Sequence, residues 1–148
     1  MNVNDTVQTL LDAYGDGSDG TAPTQDQWRR ILERNPENGF GLVNFFKFRE
    51  TADYGDASTL PKISGNEAFQ RYADVSVPTM QKAGGEFLAV APFAGSLLGP
   101  EQDWDLIAIG KYPDLAAFTA LYTDAAYIEA FKHRAAAVAR QTVMAIET

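Results

Sequence analysis

The 148-residue chain predicts an α+β fold, a four-stranded antiparallel sheet covered by helices and preceded by a short helical extension. Three observations predict it. Stretches rich in β-branched and aromatic residues, bounded by Gly, Pro and Asp, mark four strands. Apolar residues three and four apart mark the helices between them, several opened by capping signatures. Hydrophobic residues make up 45% and aromatics 11%, enough for one packed core at this length.

Residues 1–39 read as the extension. Val3, Val7, Leu10, Leu11 and Tyr14 recur at helical spacing, and Gly15, Gly17, Gly20 and Pro23 then break the chain. Thr24 and Gln27 form a capping box ahead of Trp28, Ile31 and Leu32, and Asn35-Pro36 stops that second helix. The segment carries seven acids against three arginines and is too small for a core of its own. It reads as an arm packed onto the main domain through Trp28, Ile31 and Leu32.

Residues 40–148 read as that domain. The first strand is GLVNFFKFR at 41–49, followed by a polar loop at 50–63 containing Tyr54 and Pro61. Ser64 and Glu67 open a helix whose one face carries Phe69, Tyr72, Ala73, Met80 and Ala83; Pro78 predicts a kink or restart, and Gly84-Gly85 the end. Residues 87–93 read as a strand whose Pro92 marks an edge or bulge and which resumes over 95–98. WDLIAIGKY at 104–112 is the third strand. Asp114 caps a helix with Leu115, Phe118, Leu121 and Tyr122, and Asp124 a continuation through Tyr127, Ile128, Phe131, Ala135 and Val138. Residues 142–146 close the sheet.

The order β-α-β-β-α-β is the ferredoxin-like arrangement. Right-handed crossovers put its helices on one face and make the first and third strands the central pair. Both central strands are apolar on both faces: Phe46 and Phe48 against Val43 and Phe45, Leu106 and Ala108 against Ile107 and Ile109. Helices cover one face. A second copy of the sheet is the economical cover for the other, which predicts a homodimer.

Composition removes whole classes of chemistry. Without cysteine there are no disulfides, thiolate metal sites or cysteine nucleophiles, and the single histidine excludes a multi-histidine metal site within one chain. No metal and no cofactor is expected. A net charge of −8 argues against nucleic acid and anionic membranes as partners. The polar start and the shortness of every apolar run make a cytoplasmic location the expectation. Phosphate-loop, nucleophile-elbow and two-histidine helix motifs are absent from the sequence.

The residues left to carry chemistry are few. His133 is the acid–base candidate by residue type, but about 100° per residue places it nearly opposite Phe131, pointing away from the sheet. Arg134 sits at the edge of the apolar stripe, where its stem covers the core and its guanidinium is expected to meet a carboxylate, Asp105 or Glu129, or a substrate anion. Asn44 is an amide inside an apolar central strand, so it ties a loop to the sheet or faces a ligand. Arg49 and Lys47 offer positive charge at the strand end; Tyr54 on the loop, Tyr72 on the helix and Tyr112 at the end of the third strand are amphipathic pocket walls; Trp104 is a core or interface anchor. A small, mostly aromatic pocket lined by Asn44, Arg49, Tyr54 and Tyr112 is the expectation, with His133 and Arg134 as catalytic candidates.

VNFFKFRE at 43–50, SGNEAFQRYA at 64–73, WDLIAIGKYPD at 104–114, DAAY at 124–127 and HRAAAVA at 133–139 together resemble a known family. It is the domain of unknown function numbered 1330, within the dimeric α+β barrel superfamily, and the likeness runs from about residue 40 to the end. The resemblance implies a ferredoxin-like protomer and a dimer of sheets packed face to face. It implies no reaction. This chain departs from the pattern in having Phe45-Phe46 after Asn44, where aliphatic residues are usual, and Ala126 before Tyr127, where proline is frequent. Two functions stay open: a small-molecule-binding protein that acts as a cofactor-free enzyme on a small organic substrate, as related barrels do, or a non-catalytic structural or ligand-binding homodimer.

Overall fold

A computed structural model describes residues 2–55 and 62–148. Pro61 of the polar loop lies outside the described residues. Helix α1 (Val3–Tyr14) begins at Asn2, whose side chain accepts the Asp5 N–H at 2.8 Å. Helix α2 (Gln25–Leu32) begins in the full Thr24/Gln27 capping box. Strand β1 (Phe40–Phe48), helix α3 (Gly65–Ala83), strands β2 (Glu86–Pro92) and β3 (Leu106–Tyr112), helices α4 (Leu115–Tyr122) and α5 (Ala125–Ala137), and strand β4 (Val138–Glu147) follow. Ser64, Asp114 and Asp124 cap α3, α4 and α5 through their side-chain oxygens, as their residue types require.

The fold is mixed α+β. The four strands form an antiparallel sheet in the order β2-β3-β1-β4, so β1 and β3 are the central pair. Asn44 stands opposite Ala108 on one side and Val143 on the other. Strand alternation then sends Phe40, Leu42, Asn44 and Phe46 toward the helices and Val43, Phe45 and Lys47 to the opposite face. α3 packs along α5.

Four details differ from the sequence reading. α3 runs unbroken through Pro78, an exposed position on a helix that packs along α5; the Thr79 hydroxyl bonds the Val75 carbonyl at 2.7 Å beside the interruption. Residues 95–98 form no strand; Leu97 and Leu98 lie exposed on the β2–β3 connection. α4 and α5 are separate helices, divided at Thr123-Asp124. β4 starts at Val138, four residues earlier than the pattern suggested, because the chain leaves α5 straight into the sheet.

The core lies between the helices and one sheet face, and α1 and α2 belong to it. Val7, Leu10, Trp28 and Leu32 are buried in the same cluster as Phe40, Phe118 and Phe131. Tyr14 packs edge-on to Phe131 at 4.9 Å and its hydroxyl donates to the Tyr122 carbonyl at 2.6 Å. Trp28, as expected, anchors α2, meeting Tyr122 at 5.5 Å; Ile31 is only half-buried. No helix of the described residues is long and apolar enough to cross a membrane.

Candidate functional site

Among the described residues, Arg134 is the one charged side chain in the core, 5% exposed, on the last turns of α5. Tyr127 and Phe131 precede it by seven and three residues, so all three share one helix face. Its guanidinium is held entirely by neutral groups. Nη1 donates to the Tyr72 hydroxyl at 3.1 Å, Nη2 to Asn44 Oδ1 at 3.4 Å, and Nε to Gln141 Oε1 at 3.0 Å. The rings of Phe46, Phe131 and Tyr72 lie 4.8, 5.1 and 5.5 Å from the guanidinium carbon. The Tyr72 and Tyr127 hydroxyls bond each other at 2.6 Å.

The expected carboxylate partner is not there. Asp105 is taken by the Phe48 N–H at 2.7 Å and by Lys47 at 3.5 Å, because alternation along the chain sends it to the face opposite Arg134. Glu129 pairs with Lys132 on the outer side of α5. Burial pushes the phenols of Tyr112, Tyr122 and Tyr127 up from their ordinary value, so they stand neutral around the cation. Moving a cation out of water costs several kcal/mol, and neutral dipoles and ring faces recover only part of that. Among the described residues no carboxylate pairs with this guanidinium.

Two cavities meet at Arg134. The inner one, about 80 Å³, lies between the sheet and α3; Asn44, Tyr72, Tyr112, Tyr127 and Arg134 supply its polar groups. The outer one, about 610 Å³, lies between the 17–31 segment and β4, with Trp28, Phe118, Tyr122 and Phe131 as walls. Of the described lining residues, none in either cavity is a carboxylate or an imidazole.

The structure gathers only some of the sequence candidates. Asn44 lines the inner cavity and also ties the sheet, its amide donating to the Ala108 carbonyl at 3.1 Å; this fixes Oδ1 toward Arg134. Tyr112 and Tyr72 line the same cavity. Arg49 is exposed and belongs to neither cavity; its backbone N–H bonds the Ala137 carbonyl at 2.8 Å at the end of α5. Lys47 pairs with Asp103 at 3.0 Å and Asp105 on the open face. Trp104 lies on that face too, 5.5 Å from Phe45 and under the Arg140 guanidinium.

His133 turns away from the sheet, as its helical phase predicted, and bonds Tyr54 Oη through Nδ1 at 2.6 Å. The pair pins the loop after β1 to α5, outside both cavities. Burial, reinforced by Lys132 and Arg71, holds the His133 pKa below its ordinary value, and burial raises that of Tyr54. Both groups are thus neutral at pH 7, and the imidazole's tautomer sets which of them donates. Sequence reasoning missed Tyr127 and Gln141 as site residues. The seven-residue spacing from Tyr127 to Arg134 carries the signal for the first. Gln141 was lost because the closing strand was started one residue after it.

A family model described as Domain of unknown function (DUF1330) matches residues 57–148. The match includes Tyr72, Tyr127, His133, Arg134 and Gln141 and begins after Asn44 and Tyr54; the resemblance read from the sequence began earlier, near residue 40. The chain is also similar to two crystal structures of RPA0582, a protein of unknown function from Rhodopseudomonas palustris. The methylated form is 29% identical, with a TM-score of 0.78 over 86% of this chain and 93% of that chain. The other is 29% identical, with a TM-score of 0.77 over 86% of this chain and 95% of that one. No curated protein matches the chain.

Proposed function

The chain belongs to the family of the domain of unknown function DUF1330, and from that premise we propose that it binds a small organic acid, in its anionic form, at Arg134. The observation that carries this reading is the buried guanidinium held, among the described residues, by the neutral groups of Tyr72, Asn44, Gln141 and Tyr122. The inner cavity has room for a few heavy atoms, and its walls are aromatic and aliphatic. Tyr72 and Tyr127 offer hydroxyls beside the charge, so the ligand's carboxylate or enolate oxygen has both a cation and a phenol to meet. Binding rather than acid–base catalysis is favoured, because the neutral His133 is committed to Tyr54 and no general base lines the cavity among the described residues.

The same reading includes a ferredoxin-like protomer that dimerises through its open sheet face, with residues 1–39 as an extension packed on the 40–148 domain. Supporting it, that face is apolar across Val43, Phe45, Ile107 and Ile109, and Met144 and Ile146 on β4 are exposed on it.

The test is calorimetric titration of the full chain with propionate and with propionamide, which matches its shape without its charge. Propionate binding to the wild-type protein, lost in Arg134→Gln and weakened at least tenfold in Tyr72→Phe, is the expected result. Equal binding of propionamide, or propionate binding untouched by both variants, overturns the reading.

A further inference from the structure

We propose that the outer cavity is a second binding compartment for a flat aromatic carboxylate, and that the N-terminal segment is what shapes it. The inference rests on the reading of Arg134 as an anion receptor and adds the ligand's body to it. The volume, about 610 Å³, falls within the ~300–1,000 Å³ range of small-molecule pockets. Its walls are ring faces and edges: Trp28, Phe118 and Tyr122, packed on one another at 4.6 to 6.4 Å, and Phe131. Such walls favour a planar apolar body.

The charge of the lining is one-sided. The chain as a whole carries −8, yet this cavity's described lining residues include Arg134 at the buried end, the exposed Arg30 and no acid. The acids of the roofing loop are turned into the loop itself: Asp16 accepts the Ser18 N–H at 2.9 Å and Asp19 the Thr21 N–H at 3.0 Å. The Trp28 indole N–H is buried and has no acceptor among the described residues. A buried donor of that kind is costly unless something accepts from it. The loop is fixed over the cavity by Gln141, whose amide reaches the Gly20 carbonyl at 3.4 Å, so the residue that holds Arg134 Nε also touches the roof. Gly17, at φ 77°, allows the tight turn; a Cβ there would sit 2.6 Å from the Ala22 carbonyl.

The experiment titrates the full chain with naphthalene-2-carboxylate, too large for the inner cavity, and with naphthalene-2-methanol, by calorimetry. Ala145 lines the cavity from the exposed β4 edge, so Ala145→Trp fills it without disturbing the core. The expected result is a carboxylate affinity at least tenfold above that of the alcohol. It falls at least tenfold in Ala145→Trp and is unchanged in Ala145→Ser, while propionate binding is unchanged in both variants. Equal affinity for acid and alcohol, or an affinity insensitive to Ala145→Trp, overturns the second compartment. If propionate binds the wild-type protein and naphthalene-2-carboxylate does not, only this inference fails; if neither binds, the Arg134 reading fails with it.

Discussion

At Arg134 the cost of an unpaired buried charge is carried by the folded protein, and relieving it separates a receptor from a structural pin. Arg134→Met removes a desolvated cation and leaves Asn44 Oδ1 and Gln141 Oε1 without this donor, while the Tyr72 hydroxyl, which also loses it, keeps its bond to Tyr127. Each orphaned acceptor costs about 1–3 kcal/mol, against several for the buried charge. The variant is therefore expected to unfold within about 1 kcal/mol of the wild type, or above it, in denaturant titration. A loss above ~3 kcal/mol would instead show that Arg134 stabilises the fold as a paired core residue does. His133 supplies the pH prediction. Its folded pKa lies below its ordinary value, so as pH falls through about 6.5 the unfolded chain takes up the proton first. Stability contributed at this residue is complete above that pH, is lost on acidification, and levels off below the folded pKa. His133→Gln removes this step from a pH series of melting curves; a step of unchanged size in the variant would assign it elsewhere.

At the scale of elements, close contacts rather than propensities decide two outcomes. Gly65 opens α3 where β1 ends and α5 ends. A Cβ there would lie 2.1 Å from the Arg49 carbonyl and 2.7 Å from that of Ala137, both backbone atoms. Gly65→Ala is expected to destabilise the protein by about 2 kcal/mol or more, read by thermal melting, although alanine is the better helix former. Pro78→Ala is expected to do the reverse, gaining roughly 1–3 kcal/mol, since Pro78 is exposed inside a continuous helix. The strands and caps were legible in the sequence because each rests on local chemistry: Ser64, Asp114 and Asp124 announce their helices, and Gly84 ends α3 in the left-handed conformation. The unbroken passage through Pro78 was not, because α3 is held by packing along α5, which begins 47 residues beyond Pro78.

For the whole molecule, the sequence showed a sheet with two apolar faces, and the structure covers only one of them. Val43, Phe45, Ile107 and Ile109 remain on the other. The proposed dimer buries well above ~1,000 Å² there. Sedimentation of the wild type as a dimer at micromolar concentration, and of Ile109→Glu as a folded monomer, is the expected pair of results; a monomeric wild type contradicts it. The cavities were less legible. Asn44, Tyr72, Tyr112 and Arg134 could be placed on the helix-facing side by phase alone, but the absence of a carboxylate beside Arg134 follows from where Asp105 and Glu129 are held. The contribution of α1 to the core was also hidden, since Tyr14 meets Phe131 across more than a hundred residues of chain.

The central claim concerns one guanidinium, and its own N–H reports on it. Following the Arg134 Nε–Hε resonance by NMR while titrating propionate, with propionamide as the matched control, is the most direct measurement. A saturating shift with propionate alone, absent from the spectrum of Arg134→Gln, is the predicted result. A resonance that stays in place, or that moves equally with the amide, contradicts an anion receptor at this position.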